Sequence, residues 1–183
     1  MNLLGPRLTL KPFAEDMISQ RYLDWLSDPD VNFYSRRLGQ RKQSREDAIE
    51  WLARIADGTT VLAIFAPEFG HIGNIKFGPI DSVNQSSDIA IMIGERKSWN
   101  RGYGAEAISL VTRHLFDTGS VSRVEAGSAN PAFIKLVHGL GWKIDRIEPK
   151  RVLIGDQLLD WTYLSLEKID APSAEKTDCI PYD

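Results

Sequence analysis

The stretch that decides the fold runs from Ile89 to Phe116. Ile89-Ala90-Ile91-Met92-Ile93-Gly94 is a short apolar strand, the polar loop Glu95-Arg96-Lys97-Ser98-Trp99-Asn100 follows, and Arg101-Gly102-Tyr103-Gly104-Ala105-Glu106-Ala107 leads into a helix. Gly104, Ile108, Val111 and Leu115 fall at the i, i+4, i+7, i+11 spacing of one buried helix face, which turns Thr112 and Arg113 outward. Two glycines let the backbone turn tightly with its N–H groups facing inward, and a helix starting at about Gly104 adds unpaired amides and the positive end of its dipole. This order of elements builds a cradle for an anion such as phosphate.

Gly102-x-Gly104-x-x-Ala107 also fits a dinucleotide fingerprint, with Glu125 about twenty residues on as the ribose-binding acid. In that fold the first glycine closes the strand itself, whereas here Glu95 to Arg101 intervene and about ninety residues of other structure come first. The fingerprint is therefore a lookalike. A second alternative is a tight loop before a core helix, with no ligand. The downstream sequence argues against it: Val121 to Ala126 reads as a strand, and Ser128-Ala129-Asn130-Pro131 opens another apolar helix that ends at Gly139-Leu140-Gly141-Trp142. Two strand-to-helix units stand side by side.

On these residues the chain resembles the GNAT superfamily of acetyl-CoA-dependent N-acetyltransferases, over roughly Leu8 to Leu166. The family's phosphate loop is Gln or Arg, two residues, Gly, one residue, then Gly or Ala; here it is Trp99-Asn100-Arg101-Gly102-Tyr103-Gly104, with Trp in the first place. That substitution, followed by Glu106-Ala107, is similar to the branch containing ribosomal-protein N-terminal and amino-sugar acetyltransferases. The second family signature, an Asn followed eleven residues later by the Gly of a Leu-Gly-aromatic turn, is matched by Asn130 and Leu140-Gly141-Trp142.

The resemblance implies acetyl-CoA as co-substrate. Its phosphates would lie on Trp99, Asn100, Arg101, Gly102, Tyr103, Gly104 and Ala105, and its pantetheine arm beside Asn130 and along the main chain of Ile91, Met92 and Ile93. Trp99 reads better as an anchor for the loop than as a stacking surface. Two departures stand out. Many relatives carry an acidic Tyr seven residues after the Asn, where this chain has Val137, and a Ser three residues after it, where this chain has Phe133. The usual tyrosine mechanism is therefore closed to it.

Acetyl transfer asks the protein to align an amine with a thioester, accept a proton, hold an oxyanion and let a thiolate leave. Backbone amides of Ile91 to Ile93 can supply the oxyanion donor, and no zinc-type cluster or serine elbow is present in the sequence. Asp88, at the start of this strand, is the first candidate for the base, with a solvated carboxylate as the plain alternative. His138 is the second, although on a helix it points about 100° from the vacant tyrosine position. His71 and His114 lack a supporting neighbour. On the acceptor side, Asp30-Val31-Asn32-Phe33-Tyr34-Ser35-Arg36-Arg37 crowds small, aromatic and basic groups, so Asn32, Tyr34 and Arg36 face a substrate or cap a helix end. The planar fork of Arg36 would suit a phosphate, which hints at a sugar nucleotide.

With 183 residues and 43% hydrophobic content, the chain can bury one substantial core. It reads as one acetyltransferase domain over residues 1–169 and a polar tail over 170–183. The single cysteine, Cys179, excludes a disulfide framework and a cysteine metal cluster, and no metal site is expected. A net charge of −3, with Arg36-Arg37 and Arg41-Lys42 as the only dense basic run, argues against nucleic acid. No signal peptide or membrane-spanning run is legible, and a cytoplasmic location is the default expectation. A homodimer through strand or helix edges is left open.

The elements read in order as a strand at Leu8 to Pro12, a helix from Ala14 to Leu26, and a turn at Ser27-Asp28-Pro29. A capping-box-like start at Ser44 to Asp47 then opens a helix through Ile55. Thr60 to Ala66 and His71 to Ile80 alternate like paired strands across Pro67 to Gly70, and Asp88 to Ile93 is the next strand. After the two strand-to-helix units, Lys143 to Ile154 and Leu158 to Leu166 form a hairpin around Gly155-Asp156. The fold expected is α/β, a mixed and largely antiparallel central sheet flanked by helices on both faces. The phrases Arg21-Tyr22-Leu23-Asp24-Trp25-Leu26 and Ile72-Gly73-Asn74-Ile75-Lys76 resemble members associated with bacterial surface-polysaccharide amino sugars, the acceptor preferred over a protein N-terminus. An acetyl-CoA-binding member without turnover is the third alternative.

Overall fold

The computed structural model describes residues 1–35, 42–119 and 121–171. Eight segments pair into one sheet: β1 (Leu3–Leu4), β2 (Thr9–Pro12), β3 (Thr60–Ala66), β4 (Gly70–Asp81), β5 (Ser86–Ile93), β6 (Arg123–Ser128), β7 (Lys143–Ile154) and β8 (Gln157–Glu167). The spatial order is β1-β2-β3-β4-β5-β6-β8-β7. Every neighbouring pair is antiparallel except β5 and β6. The mixed, largely antiparallel sheet is the one expected.

The helices are α1 (Gln20–Ser27), α2 (Pro29–Asn32), α3 (Arg45–Ile55), α4 (Tyr103–Asp117) and α5 (Pro131–Gly139). They cover both faces. On one, Ile108, Val111 and Leu115 of α4 and Val137 of α5 meet Leu62, Ile64, Ile72, Ile75, Ile89, Val124 and Leu164 of the sheet. On the other, Tyr22, Trp25 and Leu26 of α1 and Ala48 of α3 close over Val61 and Ala63. The capping box at α3 is complete: Ser44 accepts from the Asp47 amide at 3.1 Å and the Asp47 carboxylate accepts from the Ser44 amide at 2.9 Å.

Four expectations about local structure are corrected. The helix expected over Ala14 to Leu26 is broken, with a 3-10 turn at Glu15–Met17 and α1 starting only after Ser19, whose hydroxyl caps the Tyr22 amide. A serine at this position ends one helical turn and begins the next because its side chain satisfies an orphan donor. The turn expected at Ser27-Asp28-Pro29 is the start of α2, with Asp28 as its cap and Pro29 in the first turn. Thr112, expected to face solvent, is 5% exposed, because α4 is buried along more than one stripe. Arg113 does face outward. The strand of the second strand-to-helix unit begins two residues later than expected, at Arg123.

Candidate active site

The site is built where β5 and β6 separate. Their parallel pairing extends only over Ser86↔Arg123, Ser87↔Val124 and Asp88↔Glu125. Beyond that point β5 runs on through Ile93 and β6 through Ser128 without pairing to each other, while each keeps its outer partner, β4 or β8. The divergence opens a wedge whose β5 side is the main chain of Ile89 to Ile93. An extended amide chain can enter there as a strand would, using backbone groups the sheet leaves unpaired.

At the mouth of the wedge lies the glycine loop. Gly102 holds φ 78 as the N-cap of α4, a left-handed conformation natural to glycine, and no side chain caps the helix. The first amide bonded back inside the helix is that of Glu106, to the Gly102 carbonyl at 3.1 Å. The N–H groups of Tyr103, Gly104 and Ala105 therefore point out of the helix end, as an anion requires. A Cβ at Gly104 would stand 3.3 Å from Leu136 Cδ1 and 4.0 Å from Ile93 Cγ1, so this glycine keeps α4, α5 and β5 close.

The loop is braced from outside. The Trp99 indole donates to the Ile93 carbonyl at 2.8 Å, which makes Trp99 an anchor. Arg101 turns its guanidinium to Glu68 at 3.1 Å and lies over the Phe69 ring, so only its backbone is available to the cradle. Tyr103 is buried, with Arg7 over its ring. Asn100 takes φ 58 and completes the turn.

Asn130 caps α5, its Oδ1 accepting from the Ala132 amide at 2.9 Å. Val137, in the position of the missing tyrosine, is wholly buried in the core. His138 beside it is exposed, in the last turn of α5.

Asp88 stands at the point where the strands part. Burial raises its pKa above the ordinary carboxylate range, Lys76 pulls it back, and Glu125 adds to the rise. Lys76 Nζ lies 3.8 Å from Asp88 Oδ2, and the Asp88 side chain is 54% exposed, so water tempers these effects.

A cleft of about 420 Å³ is lined by Tyr34, Ala129, Pro131, Ile134, Leu158, Leu159, Asp160 and Thr162. It joins the segment after α2, the start of α5 beside Asn130, and β8. Of the three acceptor-side residues, Tyr34 lines this cleft, whereas Asn32 uses its amide to hold the Leu26 carbonyl at 2.6 Å and so closes the end of α1. Arg36 lies outside the described residues. The sequence reading missed Asp160 and Thr162, which reach the cleft only through the β7–β8 hairpin. It also missed the partner of His71, whose Nε2 lies 2.6 Å from Asn74 Oδ1 and 3.0 Å from the Gly73 carbonyl. Burial lowers the His71 pKa, partly offset by these two hydrogen bonds, and Arg21 lowers it further.

The acetyltransferase (GNAT) domain family matches residues 7–143. The chain belongs to that family. Known GNAT structures share its fold at low sequence identity. The spermidine N-acetyltransferase from Vibrio cholerae, solved with CoA and spermine, superposes with a TM-score of 0.80 at 13% identity, covering 91% of this chain and 98% of the other. RimL, a ribosomal L7/L12 alpha-N-protein acetyltransferase in complex with coenzyme A, gives 0.80 at 11% identity over 91% and 98%. The microcin C7 self-immunity acetyltransferase MccE, in complex with acetyl-CoA and AMP, gives 0.75 at 15% identity over 89% and 93%. No curated protein matches the chain at the level of sequence.

As a GNAT acetyltransferase, the protein is an enzyme whose co-substrate is acetyl-CoA. The uncapped end of α4, the close packing at Gly104 and the open side of β5 fit that molecule: amides for phosphate, a narrow passage, and strand-like main chain for pantetheine. Among the described residues no cluster of His, Cys, Asp or Glu could hold a metal ion, and no helix is long and apolar enough to cross a membrane.

Proposed function

We propose that this enzyme acetylates the primary amine of an amino sugar nucleotide in the cytoplasm, with both substrates bound together and the amine attacking directly. The observation that carries the reading is the cleft beside the wedge, whose volume falls within the range of small-molecule sites, roughly 300–1,000 Å³. Its lining combines an aromatic ring (Tyr34), a carboxylate (Asp160) and a hydroxyl (Thr162) with the apolar Ile134, Leu158 and Leu159. That mixture suits a ring with polar edges and apolar faces better than a plain aliphatic amine.

Acetyl-CoA supplies the thioester electrophile and the thiolate leaving group. In this reading the amides at the start of α4 hold the phosphates, and Asn130 with the main chain of Ile91, Met92 and Ile93 orients the pantetheine. A backbone N–H of the same strand faces the carbonyl oxygen as charge grows on it. Asp88, with its raised pKa, accepts the ammonium proton where the strands part. With valine at position 137, solvent returns the proton to the departing thiolate.

Thermal stability with CoA, acetyl-CoA and NADH, followed by thiol release against uridine-diphosphate amino sugars and N-terminal peptides, tests the proposal. A CoA shift with turnover on the sugars supports it. Turnover only on peptides would move the acceptor to a protein N-terminus, and a CoA shift with no turnover on any amine would make the chain a non-catalytic member.

A further inference from the structure

The stretch from Gly94 to Trp99, which joins β5 to the glycine loop, is also fastened to α1 and α2. Glu95 pairs with Arg21 of α1 and caps the 3-10 turn at Arg96–Ser98 by accepting from the Lys97 amide at 3.1 Å. Its neighbour Arg96 reaches α2: Nη1 lies 2.7 Å from Asp30 Oδ2 and 3.8 Å from Asp28 Oδ2. The same guanidinium lies over the Trp99 ring, 5.7 Å from its centre. The Trp25 indole of α1 rests on the backbone where this stretch leaves β5, since a Cβ at Gly94 would stand 2.1 Å from Trp25 Cδ2. Arg96 therefore touches the anchor of the cradle with its flat face and α2 with its charge.

The short helix α2 needs such a contact. It has four residues, and a single helical turn does not recover the cost of starting it. The Asp28 carbonyl accepts from the amides of Val31 and Asn32 at 3.1 and 2.9 Å, and the Asp28 carboxylate caps the Asp30 amide at 2.9 Å. Arg96 is the cation that joins the two carboxylates of this turn. Arg96 and Asp30 are exposed, so their pair contributes little by itself. In a segment of low local stability, a small contribution still shifts the population. Two residues beyond α2, Tyr34 lines the cleft together with Ala129 and Pro131, the residues on either side of Asn130.

We propose that Arg96 is a positioning residue that couples the two substrate sites, so that CoA fixing the glycine loop firms α2 and with it the Tyr34 side of the cleft. The inference rests on the acetyl-CoA reading of the cradle and on the cleft as the acceptor site, and adds the link between them. A contact made from the loop supports α2 only while the loop that carries it is held, and CoA holds it. Coupling is reciprocal, so an acceptor seated against Tyr34 strengthens CoA binding by the same factor.

The test is hydrogen–deuterium exchange of the full chain, with and without CoA, in the wild type, Arg96→Gln and Arg96→Lys. The reporters are the amides of Val31, Asn32 and Ser35, the last donating to the Asn32 carbonyl at 2.7 Å. The amides of Tyr103, Gly104 and Ala105 report the cradle, and calorimetry gives the CoA affinity. In the wild type CoA should slow exchange at residues 31–35 about threefold. Arg96→Gln should lose that slowing while keeping protection at 103–105 and CoA affinity within about threefold. Arg96→Lys keeps the charge and should retain most of the slowing. Wild-type protection at 103–105 alone would leave the cradle standing and overturn the role of Arg96. So would a CoA effect at 31–35 of the same size in Arg96→Gln, which would make the ion pair merely structural, or a loss at both places, which would put Arg96 in CoA binding itself. If CoA protects neither region in the wild type, the cradle is misplaced and the coupling falls with it.

Discussion

The indole of Trp99 donates to the carbonyl of Ile93 at 2.8 Å, so the last residue of the strand beside the wedge and the first residue of the glycine motif are tied together. The bond spends one of the strand's polar groups on holding the loop, which fixes the height of the cradle relative to the thioester end of the site. Trp99→Phe keeps the ring and removes the donor. The expected result is a loss of about 1 kcal/mol in stability, together with a several-fold weaker CoA complex, read by denaturant titration and by calorimetry.

At Gly104 the expected effect is on the ligand more than on the fold. Gly104→Val places a branched side chain against Leu136 Cδ1 and Ile93 Cγ1, where the loop must stay open to phosphate. CoA affinity should fall at least about tenfold, and the CoA-dependent rise in melting temperature should nearly vanish. An unchanged affinity would remove the loop from the cofactor site.

Asn130 caps α5 and, in the proposed reading, also orients pantetheine, two roles that one substitution can separate. Asn130→Ala should lose about 1 kcal/mol of stability through the lost cap on the Ala132 amide. If the side chain also orients pantetheine, the acetyl-CoA KM should rise with the acceptor KM unchanged. Steady-state kinetics with each substrate varied in turn distinguish the two.

The pH dependence of Asp88 has a definite sign. Because the folded protein raises its pKa, ionisation of Asp88 works against folding as pH rises through the ordinary carboxylate range, so Asp88→Asn should be no less stable than the wild type at neutral pH. Turnover should nevertheless fall, most at about pH 6–7 where the free amine is scarce, and least at about pH 9 where the amine sheds its own proton. Profiles of kcat that run parallel for the two proteins would reject Asp88 as the base.

Much of the fold was legible because its signals are local. The capping box at Ser44 and Asp47, the span Thr60–Ala66 and the hairpin around Gly155-Asp156 each follow from neighbouring residues, and each stands where expected. The turn at Gly102 and the start of α4 were legible for the same reason, since they are adjacent in sequence. Ser19 carries an equally local signal, a cap in the middle of the span expected as one helix. Thr112 misled because a single-stripe pattern cannot show that α4 is covered on more than one side. The acceptor side resisted reading for a different reason. Tyr34, Pro131 and Asp160 meet across about 126 positions, which no short window of sequence contains.

Glu106, in the first turn of α4, accepts from the amides of Arg7 and Leu8 at 2.8 and 3.1 Å and from Arg7 Nε at 2.8 Å, while Arg7 also reaches the Arg101 carbonyl at 2.8 Å. The partners are separated by 94 to 99 positions. The glycine loop is therefore completed from behind by a segment nearly a hundred positions away in the chain, so its shape depends on a long-range contact that slows folding and that no local stretch can form alone.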